Sequence, residues 1–173
     1  MIDLLRRRRS VRRFERRPIE EEKRQILAEA LLRAPSSRDR RPLRFTFVDE
    51  PELLKQLSRA KRHGSAFMAG APLAVVILAD EAVSDVWIED SSIAAILLQM
   101  TALSLGLGSC WVQIRLREHD SQQSAEDYVH AVLGIPASLR VGCIVAIGYP
   151  AESPHPIPFE KLEFERIHRN RLT

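Results

Sequence analysis

The segment that follows Ser84, Asp85 and Trp87 and runs to about Leu105 constrains the fold more than any other. Ile93, Ala94, Ala95, Ile96, Leu97, Leu98, Met100, Ala102 and Leu103 would cover almost the whole circumference of a helix. A helix that is apolar on nearly every side has to be buried on nearly every side. In a chain of 173 residues that means either the centre of the monomer or a subunit interface. Glu89 and Asp90 fall in its first turn, where carboxylates suit the positive end of the helix dipole. The longest apolar stretch, Ile93–Leu98, gives way to Gln99, Thr101 and Ser104 and is well short of a membrane span.

The other elements arrange themselves around this helix. Residues 2–9 predict a short helix, and Pro18 opens a longer one to about Leu32, with Ile26, Leu27, Ala30 and Leu31 on one face and Glu20, Glu21 and Glu22 at its start. Leu43–Val48 predicts a strand, Pro51–Arg59 a surface helix with Leu53, Leu54 and Leu57 inward, and Leu73–Ala79 a second strand. Between them Lys61–Ala71, with His63, Gly64, Ser65 and Phe67, is a loop and turn. Gly106 supplies a left-handed C-cap. Ser109–Ile114 is a buried strand, Asp120–Leu133 contains a helix stopped by Gly134-Ile135-Pro136, and Arg140–Gly148 is the last strand. At 45% hydrophobic the chain builds one domain with a real core, spanning residues 1–173, and is too short for two ordinary ones. Beyond Tyr149 the tail is broken by Pro150, Pro154, Pro156 and Pro158. It carries too many apolar residues (Ile157, Phe159, Leu162, Phe164 and Ile167) to hang free, and wrapping over a partner subunit from about residue 150 is the expectation.

Two stretches carry chemistry. In Arg8-Arg9-Ser10-Val11-Arg12-Arg13-Phe14, planar guanidinium forks flank a serine hydroxyl, a donor set suited to a small phosphate. A solvated basic arm that binds polyanions is the equally weighted alternative. The second stretch is Ala34-Pro35-Ser36-Ser37-Arg38-Asp39-Arg40-Arg41-Pro42-Leu43-Arg44-Phe45, whose serines suit an irregular loop or simple capping.

Together these stretches resemble the flavin-dependent nitroreductase family, in which an Arg-x-Ser-x-Arg element grips the FMN phosphate and a Pro-Ser-Ser-x-Asn-x-Gln-Pro-Trp element lies against the flavin ring. The resemblance extends to Ala71-Pro72, Leu105-Gly106-Leu107-Gly108 and Gly148-Tyr149-Pro150. It implies an α+β fold, a three-layer α/β/α sandwich around a mostly antiparallel sheet, in an intertwined homodimer with shared flavin sites. It implies FMN as cofactor, NADH or NADPH as co-substrate, and ping-pong hydride transfer through flavin N5 to a nitroaromatic, quinone or similar small acceptor. No protein acid or base is required, so no catalytic residue is assigned. Arg8, Ser10 and Arg12, helped by Arg9, correspond to the phosphate contacts. Pro35, Ser36, Ser37, Asp39 and Arg41 would line the ring from the partner subunit. Trp111, Val112, Gln113 and Ile114 match the segment passing the N5 edge, although plain strand packing explains Trp111 and Val112 equally well. Arg169 and Arg171 would add to the phosphate site, with solvated charge as their default.

The chain departs from the family pattern where Asp39 replaces asparagine, Arg41 glutamine and Leu43 tryptophan. An ionised aspartate only accepts hydrogen bonds, so an arginine, Arg41 or Arg38, is needed to offset its charge near the flavin. An arginine near N1/O2 would stabilise the anionic reduced flavin.

Other chemistries have less support. The net charge is +3 with a pI near 9.2, yet the arginines are crowded into residues 6–17 and 38–44, which indicates local anion sites. Eight arginines in residues 6–17 keep nucleic-acid binding as the main competitor. Against it, the chain has no recognition-helix pattern or aromatic sheet. A flavin-binding module without turnover is a third possibility. His63, His119, His130, His155 and His168 show no shared ligand spacing, so no metal is expected. Cys110 and Cys143 make no disulfide framework, and with no signal-peptide core at the N-terminus they fit a reducing cytoplasm.

Overall fold

A computed structural model describes residues 1–172. Four strands, β1 (Leu43–Val48), β2 (Leu73–Asp80), β3 (Gly108–Gln113) and β4 (Leu139–Gly148), form one sheet in the order β1-β2-β4-β3, antiparallel throughout. Among the described residues five α-helices accompany it: α1 (Ile2–Arg7), α2 (Glu21–Leu32), α3 (Pro51–Leu57), α4 (Trp87–Ser104) and α5 (Ala125–Leu133). The expected α/β/α layering is present. On one face Leu27 and Leu31 of α2 and Ala94, Ala95, Leu98 and Ala102 of α4 cover Leu73, Val75, Ile77, Val145 and Ile147. On the other, Leu54 and Leu57 of α3 and Ala125 and Val129 of α5 cover Ala74, Val76, Leu78, Ile144 and Ala146. The parity of β4 changes at Gly142, where the register shifts from Ile77 opposite Cys143 to Leu78 opposite Val141. A bulge of this kind turns alternate side chains onto the other face, so Val141 joins the α3/α5 layer and Cys143 the α2/α4 layer.

The structure modifies several expectations. Helix α2 begins at Glu21, three residues after Pro18, and Ile26 points to solvent while Leu27 and Leu31 face the sheet. Helix α3 ends at Leu57. Helix α4 is not enclosed by this chain alone. Its inner side is buried, but Ile88, Ile93 and Ile96 form an exposed stripe, Ile93 and Ile96 each 40% accessible. The tail is extended apart from single turns at Phe159–Lys161 and Phe164–Arg166, and Ile157, Phe159, Leu162, Phe164 and Ile167 are all exposed. Gly106 caps α4 with φ +77°, as its position in the sequence requires. Among the described residues no helix is long and apolar enough to cross a membrane.

Candidate functional site

The arginine segment acquires its shape by lying along the free edge of β3. Ser10 pairs with Ser109 in a parallel bridge, and the Val11 amide donates to the Ser109 carbonyl at 3.0 Å. The strand is then handed to the other end of the chain: Phe14 bridges Pro150, the Glu15 amide donates to the Tyr149 carbonyl, and the Ala151 amide to the Arg13 carbonyl. Val11 is buried, so its neighbours in this extended backbone turn outward. A cleft of about 450 Å³ is lined by Arg8, Arg9, Ser10, Arg12, Glu152 and Pro154.

The charges in this cleft are unevenly matched. Glu152 accepts hydrogen bonds from the successive amides of Arg12 and Arg13, at 2.5 and 3.1 Å. Its carboxylate is held by the main chain, while Arg8, Arg9 and Arg12 make no ion pair among the described residues. Three free guanidinium groups around a serine hydroxyl suit a phosphate monoester, whose oxygens accept several charged donors at once. Beneath them the Cys110 thiol is buried. Desolvation raises its pKa, and the charges of Arg12, Lys61 and Arg8 oppose that shift. Glu152 and Cys110 were not legible as site neighbours, because approaches across about 140 and about 100 residues leave no local sequence signal.

The second cluster lies elsewhere. After α2 the chain makes a tight turn at Ser37–Asp39 with Arg38, Asp39 and Arg41 all in the left-handed region, φ +53°, +53° and +50°. Such conformations are costly for residues with a Cβ and persist when their surroundings hold them. The holding groups are visible. The Arg41 amide donates to Ser36 Oγ at 2.9 Å, and the Ser37 amide donates to Asp90 Oδ1 at 3.0 Å. Asp90 is 3% accessible and also accepts from the Ser84 hydroxyl at 3.3 Å. Its place in the first turn of α4 was foreseen, but its role in fastening this loop was not. Arg41 grips Asp39 through two bonds of 2.8 Å. The hydrogen bond from Arg41 lowers the Asp39 pKa, and Asp39 raises that of Arg41. The sequence departure at these two positions is thus a matched pair on an exposed loop.

These clusters occupy diagonally opposite corners of the sheet. Leu43, which follows the serine loop, lies beside Ala79 and through it Arg140, whereas Gly108 pairs with Gly148, adjoining Ile147 and Leu73 at the other end. Three strand spacings and about seven residues along the strands separate them, roughly 27 Å. Of the strand residues singled out, Val112 and Ile114 are fully buried, whereas Trp111 and Gln113 are partly accessible, joined by a bond of 3.0 Å from Trp111 Nε1 to Gln113 Oε1. Arg169 and Arg171 lie on the exposed tail and take no part in lining the arginine cleft.

The fold agrees with what comparison with known proteins finds. The sequence profile of the Nitroreductase family matches residues 5–63 and 58–149. The chain belongs to the nitroreductase family. A solved nitroreductase structure, described as an FMN-dependent nitroreductase from Clostridium difficile R20291, superposes with a TM-score of 0.98 at 41% identity, covering 99% of this chain and 100% of the other. An Archaeoglobus fulgidus nitroreductase relative, provisionally named NADH dehydrogenase/NAD(P)H nitroreductase, is 32% identical over 95% of this chain and 94% of its own. A Parabacteroides distasonis protein of the same provisional name gives a TM-score of 0.89 at 28% identity, over 99% of this chain and 98% of that one.

Proposed function

We propose that this nitroreductase is an FMN-dependent enzyme that oxidises NADH or NADPH and reduces a nitroaromatic, quinone or similar small acceptor, and that it works as a homodimer. The observation that carries the proposal is the convergence of the unpaired Arg8, Arg9 and Arg12 with Ser10 on the β3 edge. The similarity to a protein described as FMN-dependent supports the choice of flavin. When bound, FMN supplies a two-electron carrier that takes hydride from a dihydronicotinamide and passes it to an acceptor. The chain's own residues do the rest. Arg8, Ser10 and Arg12 hold the phosphate and Arg9 adds positive potential, while Glu152 keeps the segment in place through its amides. Because the side chains of Val112 and Ile114 are buried, that strand contributes backbone, with Trp111 and Gln113 at its accessible margin.

Pro35, Ser36, Ser37, Asp39 and Arg41 serve the ring end of the site from a second copy. Support comes from the diagonal separation, which leaves one chain unable to bring both clusters to one ligand, and from the exposed Ile88, Ile93 and Ile96 stripe and apolar tail. Residues 1–173 act as a single domain whose tail, from about residue 150, lies over the partner and carries Arg169 and Arg171 towards the partner's phosphate site. Two free, buried cysteines accord with a reducing cytoplasm.

The test is the visible spectrum of the protein after addition of FMN and desalting, followed by anaerobic NAD(P)H. A retained flavin spectrum that bleaches is the expected result. Retention without bleaching would leave a flavin module with no turnover, and absence of retained flavin would overturn the proposal. Ser10→Ala combined with Arg12→Ala should release the flavin, and full retention in that variant would remove the phosphate assignment.

A further inference from the structure

A second basic cleft, of about 380 Å³, is lined by Lys61, Arg62, His63, Leu116, Arg117 and Glu118. Its walls are two loops fastened together: His119 Nδ1 lies 2.8 Å from the Arg59 carbonyl, and the Arg117 amide donates to the Ile114 carbonyl at 3.0 Å to close a turn. That turn forces Leu116 to φ +58°, where it is 76% accessible. An exposed leucine in a conformation unfavourable for a residue with a Cβ is a combination that packing of this chain does not explain.

The charges are also unresolved. Glu118, the carboxylate in the lining, is paired with Arg62 at 3.4 Å. Lys61 and Arg117 make no ion pair among the described residues, and the Arg117 guanidinium donates only to the Leu116 carbonyl of its own turn. The two cations are close enough that Arg117, after burial, contributes to lowering the Lys61 pKa. Two like charges with no counterion favour an anion between them. Both clefts flank β3: Ser10 of the arginine cleft bridges Ser109 near the start of the strand, and Leu116, Arg117 and Glu118 of this cleft follow shortly after its last residue, Gln113. FMN carries one phosphate, and Arg8, Ser10 and Arg12 suffice for it, so the second set of cations calls for an anion on a different molecule. The substrate that must visit this site and carries phosphate groups remote from its reacting ring is the dinucleotide reductant.

We infer that the Lys61–Arg117 cleft receives a phosphate group of the dinucleotide reductant. This rests on the proposed function. The 2′-phosphate that distinguishes NADPH and the pyrophosphate common to NADPH and NADH share the required chemistry.

The experiment compares the flavin-loaded full chain with its Lys61→Ala/Arg117→Ala variant, using NADPH, NADH and the phosphate-free donor 1-benzyl-1,4-dihydronicotinamide. Loss of two charged contacts lowers kcat/KM for the dinucleotide roughly 10- to 100-fold while leaving the phosphate-free donor unaffected. A loss confined to NADPH assigns the 2′-phosphate, and an equal loss with NADH assigns the pyrophosphate. Unchanged kinetics with both dinucleotides would overturn the inference, as would an equal loss with the phosphate-free donor. Calorimetric titration with 2′,5′-ADP and ADP reads the cleft without turnover: weaker binding of either to the variant supports the inference, and equal binding of both opposes it. Flavin retention, read separately by absorbance, distinguishes failure of this cleft from failure of the flavin assignment.

Discussion

At Gly108 the backbone of β3 approaches the arginine segment so closely that an added Cβ would lie 2.8 Å from Val11 Cβ and 2.9 Å from both its γ carbons. A β-branched side chain cannot swing its Cβ aside, so relief requires the two backbones to part. Parting them lengthens the hydrogen bond between Val11 and Ser109 that sets the phase of Arg8, Ser10 and Arg12. Gly108→Ala should therefore lower stability by about 1–3 kcal/mol, the usual cost of overpacking. It should also weaken flavin retention although no cradle side chain is altered. Urea unfolding and the absorbance of the desalted protein check this, and a variant with the parental midpoint and full flavin would show that the close approach is unimportant. Gly108 was visible in the sequence only as part of a glycine turn, because the residue that demands its missing side chain is about a hundred positions away.

The joints between elements carry the next level of organisation. At the start of α2, Glu20 accepts a hydrogen bond of 2.6 Å from the Tyr149 hydroxyl just beyond β4, and Arg17 pairs with the same carboxylate at 2.6 Å while stacking on the tyrosine ring. These contacts lower the Glu20 pKa from 4.5 to about 2, the Tyr149 hydroxyl being the largest cause and the Glu20 backbone amide and Arg17 following. A carboxylate whose folded pKa is depressed stabilises the fold fully above its unfolded pKa, and that contribution disappears as pH falls towards the folded value. Tyr149→Phe should then unfold more readily than the parent above pH 4.5, with the pH-dependent part of the difference shrinking as pH is lowered to about 2. Urea midpoints across that interval test it, and a difference that stays constant with pH would show that Glu20 is not the group responsible. Joints of this kind explain what was and was not legible. Leu43–Val48 could be bounded correctly because alternation is local, and Gly134 because a left-handed cap follows directly on its helix. The hold of Asp90 on Ser37 and of Glu152 on Arg12 could not be anticipated, since each depends on a tertiary approach that no short-range pattern encodes. Helix α4 lies between these cases: its all-round apolarity posed the choice between centre and interface, and the exposed Ile88, Ile93 and Ile96 locate the side left for another surface.

For the whole molecule, that exposed stripe and the diagonal placement of the two clusters belong together. Ile93→Glu with Ile96→Glu puts two charges where the homodimer proposal expects an apolar contact, and desolvating unpaired carboxylates is unfavourable. The expected species is a monomer by analytical ultracentrifugation that no longer retains FMN, even though Arg8, Ser10 and Arg12 are untouched. A dimer of normal mass would refute the assignment of this face, and a monomer that kept its flavin would show that one chain is enough. The sheet's diagonal also has a genetic consequence. If the arginine cleft of one copy works with the serine loop of the other, a lesion in the first and a lesion in the second complement one another in trans. In a mixed dimer of Ser10→Ala/Arg12→Ala with Asp90→Ala chains, one site collects all the damage and the other has none. Random assortment of two inactive proteins would then restore about a quarter of the parental activity, the half of dimers that are mixed each having one working site.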